Sequence, residues 1–273
     1  MRREVTLAAV RLTHSLGLVS SLVTNGYWAR NTNSAYRVLS ELSDAGLDKL
    51  AVSYDGYHNV HERLTNIRIL DNLLACAGET NIRIQVQYCG QGNELAFHQV
   101  KELTGDLQVP LIISAVLPFG RGRTMAIMQN PRVENVPEDA CGVVVRPVLT
   151  PEGDLYTCCG PARGAHLDSP LRLPIAAAKH TGQALRTAAS STLLNLLHIQ
   201  GPRAVFERLN PQAQERVSGR LLDESICSLC RAITDDAAAV AEIQEVLEDD
   251  RFYLLAAAGF MQVNASRNRR ELL

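Results

Sequence analysis

The chain has 273 residues, a formal net charge of −2 and a pI near 6.4. This balance gives no electrostatic reason to expect binding to nucleic acid or to an anionic membrane. Seven cysteines are an odd number and no secretory segment accompanies them, so a disulfide framework is not expected. No apolar run is long enough to cross a bilayer, and the sequence therefore predicts a cytoplasmic protein.

Helical and strand patterns alternate through the first part of the chain. Apolar residues at helical spacing from Val5 to Leu16 predict a first helix that ends at Gly17. Three further helices are predicted, over residues 34–46, 66–76 and 94–103. Short apolar strands are predicted over residues 18–23, 49–53, 82–88 and 111–117. Strands that alternate with helices of this length indicate βα units and a parallel sheet, so the predicted fold class is α/β.

Each predicted strand ends in polar or glycine-containing sequence. Because the carboxyl ends of parallel strands form the ligand face of α/β proteins, these ends predict one lined pocket. The candidate binding residues are Asn25, Gly26, Ser53, Asp55 and Arg121. Each of them, taken singly, is also an ordinary turn residue, which is the alternative interpretation.

Four cysteines form the most specific pattern in the chain. The valines at 143–145 with Val148, the turn Thr150-Pro151-Glu152-Gly153 and a return over 154–157 predict a β-hairpin. A hairpin brings its two ends together, so Cys141 is expected close to Cys158. A distant Cys-x-x-Cys adds two more thiols from one tight segment. The predicted metal ligands are therefore Cys141, Cys158, Cys227 and Cys230, a set that suits either a zinc ion or an iron–sulfur cluster.

Cys158 and Cys159 are neighbours on an extended segment and point to opposite faces, so only one of them is expected to be a ligand. We assign that role to Cys158. Two alternatives remain for the cysteines: they are small core residues, or the Cys-x-x-Cys is redox-active without a metal.

The last part of the chain, from Pro161 onward, is alanine-rich and helical in pattern. Helices are predicted over residues 176–197, 204–209, 235–248 and 252–261, with a break at Gly201-Pro202. His180 and His198 are expected to be packed or surface residues rather than ligands. A polar cluster after the second strand could serve as a proton relay or a mononuclear metal site, although a helix start commonly carries such residues; it consists of Asp55, His58, His61 and Glu62.

Three segments resemble the third, fourth and sixth strands of the partial (β/α) barrel of radical S-adenosylmethionine (SAM) enzymes: Leu22–Trp28, Leu50–His58 and Pro118–Arg123. The resemblance implies that Ser53 and Asp55 face the SAM ribose and that Asn25 and Gly26 line the pocket nearby. The spacing of Cys141, Gly153 and Cys158, followed by the Cys-x-x-Cys, is similar to the auxiliary-cluster domain called twitch, the shorter relative of SPASM. In that pattern the four cysteines bind one [4Fe-4S] cluster.

The chain departs from this family in its first part. The defining Cys-x-x-x-Cys-x-x-Cys and the Gly-Gly-Glu segment are absent, and the first cysteine is Cys76, inside a predicted helix. The expected architecture is an incomplete radical-SAM-type barrel over residues 1–135 and a twitch-like auxiliary cluster domain with helical parts over 136–273. The resemblance thus describes an N-terminally truncated relative, through a late start codon, a gene fragment or genuine loss.

The resemblance implies a radical SAM-type iron–sulfur protein that modifies a peptide or another substrate by radical chemistry. Its partners would be that peptide and a reductant such as a ferredoxin or flavodoxin, and SAM would bind only with the missing N-terminal part. No catalytic residue is assigned, because the radical-generating motif is absent. The alternative is a non-catalytic iron–sulfur or zinc-binding protein that has kept the scaffold as a binding module.

Overall fold

The computed structural model describes residues 3–57, 66–90, 94–119, 128–173 and 181–248, together with the single positions 92, 122, 251, 254, 257 and 259. The chain divides into two compact units, Met1–Val116 and Leu117–Leu273. The sequence suggested a boundary after residue 135, whereas Val133 and Val136 pack in the core of the second unit. In the described part of the chain, no helix combines the length and the apolar character that a membrane span requires.

The first unit alternates helices with parallel strands, as predicted. Its elements are α1 (Arg3–Ser15), β1 (Ser21–Thr24), α2 (Thr32–Asp44), β2 (Lys49–Ser53), α3 (Ile67–Ala75), β3 (Arg83–Cys89), α4 (Leu95–Asp106) and β4 (Leu111–Ser114). The strands form one parallel sheet in the order β1-β2-β3-β4. The α/β class is therefore confirmed. The pairings of the described residues define an open sheet and show no barrel.

All the helices of this unit share one core with one face of the sheet. The strand residues in that core alternate along each strand, as Leu50 with Val52 and Ile84 with Val86 do. Their neighbours Lys49 and the alternate residues of β3 point to the other face. A right-handed crossover between neighbouring parallel strands explains this, because sequential strand order then places every helix on the same side.

Local signals fix where the helices begin. At the start of α2, the Asn31 side chain accepts the Ser34 N–H (2.8 Å), and the Ser34 hydroxyl in turn accepts the Asn31 N–H (3.3 Å). This capping box satisfies donors that the first helical turn leaves without partners. The Asn66 side chain caps α3 in the same manner, by accepting the Ile69 N–H at 3.0 Å.

The second unit combines a small antiparallel sheet with six helices in its described part. The strands are β5 (Val148–Leu149), β6 (Leu155–Tyr156) and β7 (Arg172–Leu173), in the order β5-β6-β7. The helices are α5 (Thr181–Ala189), α6 (Thr192–Ile199), α7 (Gly201–Phe206), α8 (Pro211–Ser218), α9 (Ile226–Thr234) and α10 (Ala237–Val246). Leucines of α6 and α9 form the centre of its core, among them Leu193, Leu197 and Leu229, which have no exposed surface.

Two sequence-based expectations for this unit need correction. The helix predicted over 176–197 is divided, because the Ser191 hydroxyl accepts the Leu194 N–H (3.3 Å) and starts α6 as a new helix. The break predicted at Gly201-Pro202 is present one residue earlier, at Gln200 between α6 and α7, and Gly201-Pro202 begins α7, where a proline is tolerated. The helix predicted over 235–248 is present as α10, and the one predicted over 252–261 lies largely outside the described residues.

The hairpin between the first two candidate ligands is shorter than predicted. Its turn is as expected, with the Gly153 N–H donated to the Thr150 carbonyl (3.0 Å) and the Thr150 N–H to the Asp154 carbonyl (2.8 Å). The prediction that the valines at 143–145 form a strand arm is wrong, because residues 142–145 form turns. The physical reason is that Val144 is buried in the core of the second unit, and this packing outweighs the strand propensity of the valines.

Candidate metal centre

The backbone of Cys141 is hydrogen-bonded to the carboxyl end of α6. Its N–H donates to the Leu197 carbonyl at 3.0 Å, and its own carbonyl accepts a hydrogen bond from His198 Nδ1 at 3.0 Å. The side chain of Cys141 is 9% exposed and belongs to the apolar core of the second unit. His198 is therefore a packed residue that contacts the backbone of a candidate ligand, in agreement with its sequence-based interpretation.

Cys158 follows β6 and points into the same core. It is 6% exposed, whereas its neighbour Cys159 is exposed, as alternation along an extended segment requires. The backbone N–H groups of Gly160 and Ala162 lie near the Cys158 sulfur and lower its pKa, although burial outweighs them and raises it overall. These donors belong to a short 3₁₀ turn, Pro161–Gly164, with Gly160 at its start. Two N–H groups directed at one sulfur stabilise the thiolate form that binds metals.

Cys227 and Cys230 lie one turn apart near the start of α9. The Ser225 side chain caps this helix by accepting the Ser228 N–H at 3.1 Å. Residues three apart on a helix share a face, so the two thiols point to the same side. Cys230 is buried, and Cys227 is partly exposed. The positive end of the helix dipole favours thiolates in this first turn.

The electrostatic interactions of the four thiols show that they converge. Burial raises the pKa of Cys227 to about 12, with further contributions from Cys141 and Cys158. Burial also raises the pKa of Cys230 well above its usual value, and repulsion from the other three cysteines adds to it. The pKa of Cys158 is raised as well, by burial and by the nearby Cys141. Three separate segments thus bring four thiols into mutual range, where their thiolate forms repel one another.

The four thiols lie near one another, but their sulfur atoms are not arranged as the ligands of one metal ion. Within the described ranges, no group of three or more His, Cys, Asp or Glu side chains has an arrangement that would hold a metal ion. The chemistry of the donors nevertheless fits a four-thiolate centre, since soft sulfur ligands select zinc or iron–sulfur clusters. A bound cation would also remove the mutual repulsion that raises these pKa values.

Of the other three cysteines, two belong to the first unit and the third is exposed. The Cys76 thiol, at the end of α3, donates to the Thr32 carbonyl at 3.5 Å. Cys89 ends β3 and pairs with Ser114 of β4, whose hydroxyl donates to the Tyr88 carbonyl at 3.4 Å. Both belong to the first unit. Cys159 is close enough to contribute to the raised pKa of Cys158 and Cys227, but its exposure directs it away from the core.

The candidate binding residues of the first unit lie at one edge of the parallel sheet. Asn25 and Gly26 follow β1, Ser53 is the last residue of the adjacent β2 and Asp55 follows it, and the parallel register aligns both strand ends. Local hydrogen bonds also fit the alternative of turn residues. The Asn25 side chain accepts the N–H of residue 27 (3.4 Å), and Asp55 accepts that of residue 57 (2.9 Å).

Several sequence-based candidates lie outside the described residues. They are Arg121, His58, His61, Glu62 and His180. Two features that surround the cysteine group were missed by the sequence analysis. One is the pair of N–H donors after Cys159, for which the Gly160-Pro161 dipeptide was the available turn signal. The other is Arg231, for which no local pattern exists.

Comparison with known proteins assigns neither a family nor a function to the chain. No family model matches the chain, and no curated protein matches it. The function is therefore inferred from the chemistry of the residues themselves.

Proposed function

We propose that the second unit binds a metal centre through Cys141, Cys158, Cys227 and Cys230, and that this centre is a [4Fe-4S] cluster. The observation that carries the proposal is that three separate segments bring four thiols near one another, close enough for Cys141 to raise the pKa values of Cys158, Cys227 and Cys230. The chain would thus be an iron–sulfur protein.

The surroundings of the sulfurs favour ligands over ordinary core cysteines. A structural cysteine behaves as a small apolar residue and needs no hydrogen-bond donors. Cys158 instead lies near two backbone N–H groups that favour its thiolate, although burial still raises its pKa overall.

The residues of this chain would hold, shield and tune the centre. Val144, Leu197 and Leu229 lie in the same apolar core as three of the cysteines and keep water away from that side. The N–H groups of Gly160 and Ala162 would stabilise the sulfur of Cys158. When bound, a four-thiolate cluster supplies one-electron transfer and has no open iron position for a substrate.

The first unit supports a finer proposal, that the scaffold is of the radical SAM type. A parallel sheet in sequential order, with all its helices packed on one face, is the arrangement found in a segment of a (β/α) barrel. In that reading Asn25, Gly26, Ser53 and Asp55 would form the SAM side of a pocket at the carboxyl edge of the sheet. A peptide substrate and an electron donor such as a ferredoxin or flavodoxin would be the partners.

The test is anaerobic reconstitution of the protein with iron and sulfide. We expect a brown protein with about four irons per chain, as one four-thiolate cluster requires. Alanine at any one of the four proposed ligands should remove most of the iron. Cys76→Ala and Cys89→Ala are matched controls from the first unit and should keep it. A colourless protein with one tightly bound zinc ion would exclude the cluster and support a zinc-binding module.

A second measurement addresses SAM chemistry. The seven cysteines supply one four-thiolate set, and Cys76, Cys89 and Cys159 lack the spacing of a second cluster. We therefore expect the reconstituted 273-residue chain, given dithionite and SAM, to release no 5′-deoxyadenosine above a control without protein. Turnover above that control would show that an open iron position is assembled from cysteines assigned otherwise.

A further inference from the structure

Arg231 directly follows a candidate ligand and connects α9 to the turn that holds Cys158. Its guanidinium donates to the Asp235 carboxylate, one helical turn later, and to the Gly164 carbonyl, the last residue of the 3₁₀ turn. The Asp235 carboxylate also accepts the His166 N–H at 3.4 Å. The arginine and its partner therefore tie α9 to residues 164–166 at two points.

The other end of the same short turn supplies the N–H donors to Cys158. Pro161–Gly164 spans only four residues, so a displacement of Gly164 would be transmitted to Gly160 and Ala162. The fit at Gly164 is close, because a Cβ atom there would lie 3.2 Å from Arg231 Nη1. The guanidinium thus lies directly against the backbone of the turn.

The charge of Arg231 lies in a shielded position near the thiols. Its side chain is 18% exposed and that of Asp235 is 14% exposed, so salt in the solvent screens them weakly. Arg231 directly follows Cys230 in the chain, so its charge lies close to one proposed ligand. A cluster with four thiolate ligands becomes more negative when it is reduced, and a fixed cation nearby favours that reduced state.

We propose that Arg231 is a positioning residue for the four-cysteine centre, because it fastens α9 to the turn after Cys158 and places a cation, paired with Asp235, next to Cys230 in the chain. This inference rests on the proposed function. It assigns two separable roles to one side chain, a geometric one and an electrostatic one. The geometric role requires the planar fork of arginine, whereas the electrostatic role requires only a cation.

Three substitutions separate these roles. Arg231→Gln removes both, Arg231→Lys keeps the charge but cannot bridge Asp235 and Gly164 in the same way, and Gly164→Ala disturbs the contact while the arginine remains. The readouts are iron release to a chelator and the reduction potential of the reconstituted cluster. Arg220→Gln is the matched control, because Arg220 also contacts the end of α9: it donates to the Asp235 carbonyl at 2.9 Å and pairs with the Asp236 carboxylate at 3.5 Å, and neither partner belongs to the Cys158 turn.

We expect Arg231→Gln to release iron about 10-fold to 100-fold faster than the wild type. At a fixed potential its ratio of reduced to oxidised cluster should fall about tenfold, which corresponds to ~59 mV for one electron. Arg231→Lys and Gly164→Ala should release iron faster but keep a potential near the wild-type value. Arg220→Gln should match the wild type in both readouts.

Wild-type release rates and potentials in all three variants would overturn the inference while leaving the proposed function intact. A wild-type chain that takes up no iron would overturn the proposed function itself, and this inference with it. Circular dichroism of the metal-free variants identifies any that fail to fold. If Arg231→Gln does not fold, faster iron release by Gly164→Ala supports the positioning role and unchanged release refutes it.

Discussion

Gly201, at the start of α7, is expected to be the most sensitive glycine of the second unit. Its φ is +87°, a left-handed value that residues with a Cβ atom rarely adopt. A Cβ atom at this position would lie 2.0 Å from the Asp139 carbonyl oxygen and 3.3 Å from the backbone nitrogen of Ala140. These residues directly precede Cys141, so Gly201→Ala tests both the fold and the candidate metal centre.

The cost of Gly201→Ala can be estimated from these two effects. A left-handed conformation at a residue with a side chain costs about 1–2 kcal/mol. The overlap with Asp139 involves rigid backbone, and relief of such overpacking typically costs about 1–3 kcal/mol. We therefore expect a loss of about 3 kcal/mol in the free energy of unfolding, or roughly 6–12 °C in Tm for a unit of this size.

The assay is urea and thermal unfolding of the metal-free protein followed by circular dichroism. Gly219→Ala is the matched control, because its φ is −67° and its Cβ atom would meet no other atom closer than 3.6 Å. The control should be unchanged or up to about 1 kcal/mol more stable. Gly201→Ala should also load less iron, since Cys141 would shift. Equal stability and equal iron in Gly201→Ala and wild type would refute the close approach of the two backbones.

Three further outcomes are expected. Cys159→Ser should keep the iron of the reconstituted protein, whereas Cys158→Ser should lose most of it; the reverse result would exchange their roles. Leu197→Ala, at a site with no exposed surface, should reduce the free energy of unfolding by about 2–5 kcal/mol in urea titrations, and a loss below about 1 kcal/mol would contradict its central place in the core. Burial raises the pKa of Asp236, but the Ala239 N–H and the guanidiniums of Arg216 and Arg220 outweigh it and hold the pKa below 3.8. A lowered folded-state pKa contributes stability above the unfolded value, and this stability is lost as the pH falls through the folded one. Asp236→Asn should therefore be less stable than wild type at pH 7, and urea midpoints should converge in strong acid; a constant difference would contradict this.

The alternation of elements in the first unit could be predicted from sequence, because each βα unit depends on local patterns. Periodic apolar residues identified α2 and α3, and short apolar runs identified β2 and β3 within a few residues. Sequential pairing then follows from the short right-handed connections between neighbouring strands. The start of β1 was placed too early, at Leu18 rather than Ser21, because an apolar run alone does not mark where pairing begins.

The second unit shows where local patterns were insufficient. The valines before Val148 have high strand propensity, but burial of Val144 in the helical core and the bond between Cys141 and Leu197 override it. The division between α5 and α6 depends on one serine cap, which sequence periodicity did not reveal. In both cases a specific hydrogen bond or a tertiary contact decided between conformations of similar local preference.

The sequence by itself determined which residue types are available to the candidate centre: four thiols, placed at two ends of a hairpin and on one Cys-x-x-Cys. Only the tertiary structure decided that they converge, since Cys141 and Cys230 come from segments far apart in the chain. It also decided what surrounds them, because the N–H groups that reach Cys158 and the contact between Arg231 and Gly164 depend on packing of α9 against a turn 67 residues away. Such contacts are set by the folded core, which local sequence does not encode.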